Sequence, residues 1–62
     1  MAHSLHYQIG QSIRAIEVEV RKLLDLVATL REAGEEDLAV AVSTQANKLL
    51  GAAVMLRIAM TL

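Results

Sequence analysis

The residues of this chain best suited to hold a metal ion are two histidines near its start. His3 and His6 are three residues apart, which places both imidazoles on one face of a helix. A transition-metal site needs further ligands, and no Asp or Glu precedes Glu17. We therefore expect no metal and no cofactor, and we interpret His6 as the first position of a helical seam.

Candidate nucleophiles are present, but nothing in the sequence would activate them. Ser12, Thr29, Ser43 and Thr44 have no His and Asp at a spacing that suggests a catalytic triad. The chain has no cysteine and no glycine-rich phosphate loop. We expect a protein that is not an enzyme and has no catalytic residue.

Charged side chains form one belt in the first half of the chain. Its members are Arg14, Glu17, Glu19, Arg21, Lys22 and Asp25. Pairs such as Glu17 with Arg21 have the i, i+4 spacing of solvated helix ion pairs. The alternative interpretation makes Arg14, Arg21 and Lys22 a strip that contacts nucleic acid, against which the interleaved acids and the net charge of −1 count.

Length and composition restrict the fold class that must position these residues. Sixty-two residues allow one domain, residues 1–62. The chain is 55% apolar, lacks proline and cysteine, and has one tyrosine as its only aromatic residue. This composition favours helices with much surface to bury, and it disfavours β structure and aromatic platforms for nucleic acid. Without disulfides or a recognisable signal peptide, we expect a cytoplasmic location.

Both halves of the chain show a heptad spacing of apolar residues, alternating 4 and 3. In the first half the seam positions are Ile9, Ile13, Ile16, Val20, Leu23, Val27 and Leu30. In the second half they are Leu38, Val42, Gln45, Leu49, Ala52, Leu56 and Ala59. The spacing predicts an all-α, antiparallel hairpin with helices near residues 5–32 and 36–61 and a turn near 33–36, where Gly34 ends the first helix.

Two features of the second helix are unusual for a seam. Gln45 is a polar residue at a position that should be buried, and we interpret it as setting the register of an assembly. Ala39, Ala46 and Ala53 line the flank of the seam, where small side chains allow a neighbouring helix to approach closely. The start of the first helix is less sharply defined by the sequence. Ser4 is a candidate cap of this helix, although Gly10 allows a later start.

Apolar residues outside the two seams indicate that the hairpin is not alone. Val18 in the first helix and Val40, Met55, Met60 and Leu62 in the second add to this excess. The residues that we assign to a possible partner surface are Leu24, Leu26, Leu50, Val54 and Ile58. A contiguous apolar surface of this breadth is a liability on a monomer. We therefore predict a homodimeric four-helix bundle, or a tetramer, in which the seam positions form the oligomer interface.

The sequence suggests two classes of function. The first is a self-associating interaction module, an adaptor or small chaperone-like protein, whose remaining surface binds another helical protein. The second is a dimeric bundle that binds structured RNA through the basic strip; in length and hairpin form the chain resembles Rop-like regulators. We expect no transmembrane segment, because the apolar run 49–62 is shorter than a span and contains Arg57.

Overall fold

The computed structural model describes the backbone of residues 2–62 and the side chains of residues 4–62. Helix α1 spans Ala2–Glu32 and helix α2 spans Glu36–Thr61. The two helices pack against each other as a hairpin 49 Å long. The predicted all-α hairpin and its turn are confirmed, while α1 begins before Ser4, so Ser4 is not a cap and Gly10 does not delay the start.

The turn between the helices is closed by backbone hydrogen bonds around Gly34. The Glu35 N–H donates to the Leu30 carbonyl (2.8 Å) and the Gly34 N–H donates to the Arg31 carbonyl (3.0 Å). Gly34 has a φ of 80°, the left-handed conformation that completes this Schellman motif. Glu36 and Asp37 lie in the first turn of α2, where their charges are favourable to the helix dipole.

The seam of α1 lies where its heptad spacing predicts. Ile13, Val20 and Val27 are buried, and each is 4% exposed or less. Ile9, Ile16, Leu23 and Leu30 are half-buried along one flank of this row. The β-branched side chains, which have few rotamers to lose, therefore form the part of α1 that α2 covers.

The residues of α2 that pack against α1 within the single chain are the alanines on the flank of the predicted seam. They are Ala39, Ala46 and Ala53, each 1% exposed or less. The predicted seam positions Leu38, Gln45, Leu49, Ala52, Leu56 and Ala59 are exposed in the single chain and Val42 is half-buried, so their burial in an assembly stays a prediction. The physical reason that alanines meet α1 is size: alanines let the helix axes come close, and the branched side chains of α1 fill the space beside them.

Enlarging a seam alanine should destabilise the hairpin. Ala46→Leu places three extra heavy atoms at a fully buried position, and overpacking of this kind costs about 1 to 3 kcal/mol. Urea unfolding followed by circular dichroism measures the change. Ala41→Leu, at an exposed position of the same helix, is the control and should leave the midpoint nearly unchanged. Equal midpoints for the two variants would contradict the alanine seam.

Replacing Gly34 or Gly51 with alanine should change the free energy of unfolding in opposite directions. Gly34→Ala forces a side chain into the left-handed region and should lower the free energy of unfolding by about 1 kcal/mol. Gly51→Ala should raise it by up to about 1 kcal/mol, because an added Cβ at this helical position meets no atom within 4 Å. Thermal unfolding of both variants checks the signs, and a loss of stability in Gly51→Ala would reveal a close contact there.

Candidate interaction surfaces

The buried rows define two sides of the hairpin. In an antiparallel pair, positions four residues after the seam of each helix lie on the same side. Glu17 and Leu24 of α1 therefore lie beside Leu50 and Arg57 of α2. The contacts agree, since Arg57 Nη2 donates to Glu17 Oε1 at 2.8 Å and Leu24 and Leu50 line one groove. We call this side, with Arg14, Arg21 and Val54 at its edges, the charged face.

The opposite side, which we call the apolar face, contains the positions three residues after each seam residue. These are the half-buried or exposed residues Ile16, Leu23, Leu30, Val42, Leu49 and Leu56, with Ile9. The adjoining row adds Leu5, Ser12, Glu19, Leu26, Leu38, Gln45, Ala52 and Ala59. Glu19 is the only charged residue in this set, so the apolar face is a broad surface with one ionisable group.

The residues of the predicted oligomer interface fall into two groups in the structure. Its members Ile13, Val20 and Val27 are buried inside one hairpin. All the other predicted members lie on the apolar face, where α1 and α2 contribute neighbouring rows. In a four-helix bundle each helix contacts its hairpin neighbour with one row and the opposite hairpin with the next. The predicted interface therefore combines these two rows, and its role between copies stays a prediction.

The possible partner surface is not one patch. Leu24 and Leu50 share the groove of the charged face, which Glu17, Val20 and Arg21 also line. Val54 and Ile58 follow Leu50 at four-residue steps along α2 and are about half exposed. Leu26 lies apart from these four, on the apolar face. The structure thus brings four of the five predicted residues to one side of the hairpin.

The basic strip is also reorganised. Arg14 and Arg21 lie one heptad apart at the edge of the charged face, and Lys22, which lines an outer groove with Arg21, has its Nζ 3.4 Å from Glu19 Oε1. Arg57, which the sequence analysis left out of the strip, lines a groove with Arg14 at the free end of the hairpin. The spacing within α1 could not reveal this neighbour, because it depends on the relative register of the two helices.

The ion pairs of the described residues are all on the surface. The Glu17–Arg57 side chains are 42% and 57% exposed, and the Arg31–Glu36 pair near the turn is more open still. Exposed pairs of this kind contribute about 0 to 1 kcal/mol each. Among these pairs, only Glu17–Arg57 joins the two helices away from the turn, and at this exposure it adds little stability.

Metal sites and membrane-spanning helices each have requirements against which the described residues can be compared. Within residues 4–62 no three His, Asp or Glu side chains group as ligands, and His3 lies outside the described side chains. Helix α2 is long and apolar enough to cross a bilayer by length and composition, and 17% of its most apolar stretch is buried. A helix whose apolar side packs against a second protein chain can have the same length and apolar composition, so these two properties alone do not make α2 a membrane span.

Comparison with protein-family models, curated proteins and solved structures gives no match. The function must therefore be inferred from the two faces themselves.

Proposed function

We propose that this chain is a non-enzymatic, self-associating helical hairpin that serves as a protein–protein interaction module, an adaptor or small chaperone-like protein of the cytoplasm. The observation that carries the proposal is the apolar face. Leu49 and Leu56 are 39% and 42% exposed at the middle of this face, among neighbours that are nearly all aliphatic. Removing such a surface from water is the dominant driving force of association.

The surface area supports a second copy on this face. The chain has an accessible surface of 4735 Å². A compact protein of 6.7 kDa exposes roughly 3,900 Å² by surface-to-mass scaling. The excess of about 800 Å² equals one partner's share of a standard protein–protein interface. One layer of two helices has no third element to cover its apolar side, so another chain supplies the cover.

The small core supports the same conclusion. The buried residues of the described hairpin are three alanines and three β-branched residues. A chain of this size with so little buried volume gains little stability by itself. Folding and assembly are therefore coupled, and the folded hairpin depends on the concentration of its partner.

Self-association through the apolar face leaves the charged face free in each copy. There Leu24 and Leu50 line a groove with Glu17 and Arg21, and the exposed Val54 and Ile58 follow Leu50 along α2. A groove with aliphatic floor and charged rim suits an amphipathic helix of another protein. The twofold dimer presents this groove twice, as an adaptor requires.

Charge introduced into the apolar face should abolish assembly. We expect the unmodified chain to have twice its mass of 6.7 kDa in solution, except at dilutions low enough to unfold it. Leu49→Asp buries a carboxylate in the interface and should give an unfolded monomer. Val54→Asp, five residues later on the charged face and 47% exposed, should remain a folded dimer. Static light scattering with refractive-index detection gives the masses, and circular dichroism gives the helix content.

Four results would contradict the proposal. A folded dimer for Leu49→Asp would show that the interface lies elsewhere, and a folded monomer would show that folding does not depend on assembly. A monomeric unmodified chain at every concentration would exclude self-association. Flotation of the chain with phospholipid vesicles, with loss of the dimer, would assign the apolar surface of α2 to a bilayer.

RNA binding is the second candidate function, and the position of Arg57 favours it. Arg14, Arg21 and Arg57 lie along one side, and a twofold dimer doubles them. If they bind paired RNA, Arg14→Ala with Arg21→Ala should weaken binding at least tenfold, and binding should weaken steeply with salt. Titration of labelled RNA hairpins at low salt tests this, with Lys48→Ala on the opposite edge of α2 as the control. No binding at low salt removes the candidate.

A further inference from the structure

We infer that the second copy docks antiparallel on the apolar face, with its turn beside the free end of the first and the twofold axis passing Ala52. In this arrangement α1 lies along α1 of the partner and α2 along α2. The inference rests on the proposed self-association and adds its direction and register. Three features of the hairpin carry it: the sizes along one row of α2, the charges at mid-height, and the charges at the two ends.

The row of α2 that points at the opposite hairpin is self-complementary about Ala52. Gln45 and Ala59 lie one heptad to either side of Ala52, and all three are exposed in the single chain. A twofold axis at Ala52 places Ala52 against itself and each Gln45 against Ala59 of the partner subunit. Small residues then face either a small residue or a long one, so the two α2 helices can approach closely. The Gln45 amide lies at the edge of the contact, where it reaches backbone carbonyls or water.

The single charge of the apolar face is compensated in the same register. Leu50 shares a groove with Val20 and Arg21, so Ala52, half a turn nearer the free end, is level with Glu19, and Lys22 lies about one helical turn closer to the loop. These two side chains already lie 3.4 Å apart within one hairpin. The axis at Ala52 brings the two Glu19–Lys22 pairs together, giving two carboxylates and two ammonium groups around one point. Their charges sum to zero at the rim of the interface, where water still reaches them.

The ends of the hairpin carry opposite charge. The turn end has Glu32, Glu35, Glu36 and Asp37 against Arg31. The half nearer the free end has Arg14 and Arg57 against Glu17, which pairs with Arg57, and no acidic residue follows Asp37. Antiparallel docking separates the two acidic turns by the length of the dimer and directs each toward the half of the partner that contains Arg14 and Arg57. The parallel arrangement would collect both acidic turns at one end, and complementary charge is what orients partners during encounter.

A distance between the two turns decides the direction. The chain has no cysteine, so Glu35→Cys in the exposed turn accepts a single nitroxide label. In the antiparallel dimer the two labels should lie at opposite ends, at a distance approaching the hairpin length of 49 Å. With both turns at one end, the distance would be roughly 20 Å, about two helix-packing distances. Pulsed electron–electron double resonance on the labelled dimer measures the distance between the two labels.

A second label separates failure of the direction from failure of the proposed function. Asn47→Cys lies near mid-height of the hairpin, so in either dimer the two labels are separated by much less than the hairpin length of 49 Å, which counts as a short distance here. A short distance from both labels overturns the antiparallel direction and leaves self-association intact. No dipolar signal from either label, with a monomeric mass, overturns self-association and the inference with it. A long distance at position 35 with a short one at position 47 is the expected result.

Discussion

Close packing of three alanines against three β-branched side chains governs the geometry of this hairpin. Ala39, Ala46 and Ala53 face Ile13, Val20 and Val27 along one seam. Each helix presents one size class, so large side chains fill the space that small ones leave, and the axes can come close. The seam also sets the rotation of α2 about its axis, and this rotation decides which side every other residue of the helix occupies.

That rotation explains why the hairpin has so much apolar surface. The larger residues of α2 cannot point at α1 once alanine occupies the seam, so they lie on its flanks. Leu49 and Leu56 then join Ile16 and Leu23 of α1 on the apolar face, while Leu50 and Val54 lie on the charged face. The proposed dimer follows from the same constraint, because a two-helix layer covers one seam and leaves the next row open to solvent.

The proposed division of labour between the faces follows from their charges. The apolar face has one ionisable residue, Glu19, so desolvating it costs little. The charged face has Glu17, Arg14, Arg21 and Arg57, whose desolvation would be costly and whose exposed ion pairs are weak. Self-association is therefore assigned to the apolar face, and the charged face remains as the surface on which a helical protein or RNA would be recognised.

The sequence alone determined the two helices, all their bounds except the start of α1, the turn at Gly34 and the seam of α1, because these depend on local propensity and on one periodic row of strong apolar residues. It could not determine which row of α2 meets α1. Three adjacent rows of α2 are apolar enough to be a seam, and hydrophobicity favours the leucine row over the alanine row. Only the packed pair decides, since the fit between side-chain volumes on two helices selects alanine. Register is a pairwise property too, which is why Arg57 joined Arg14 only in the tertiary structure.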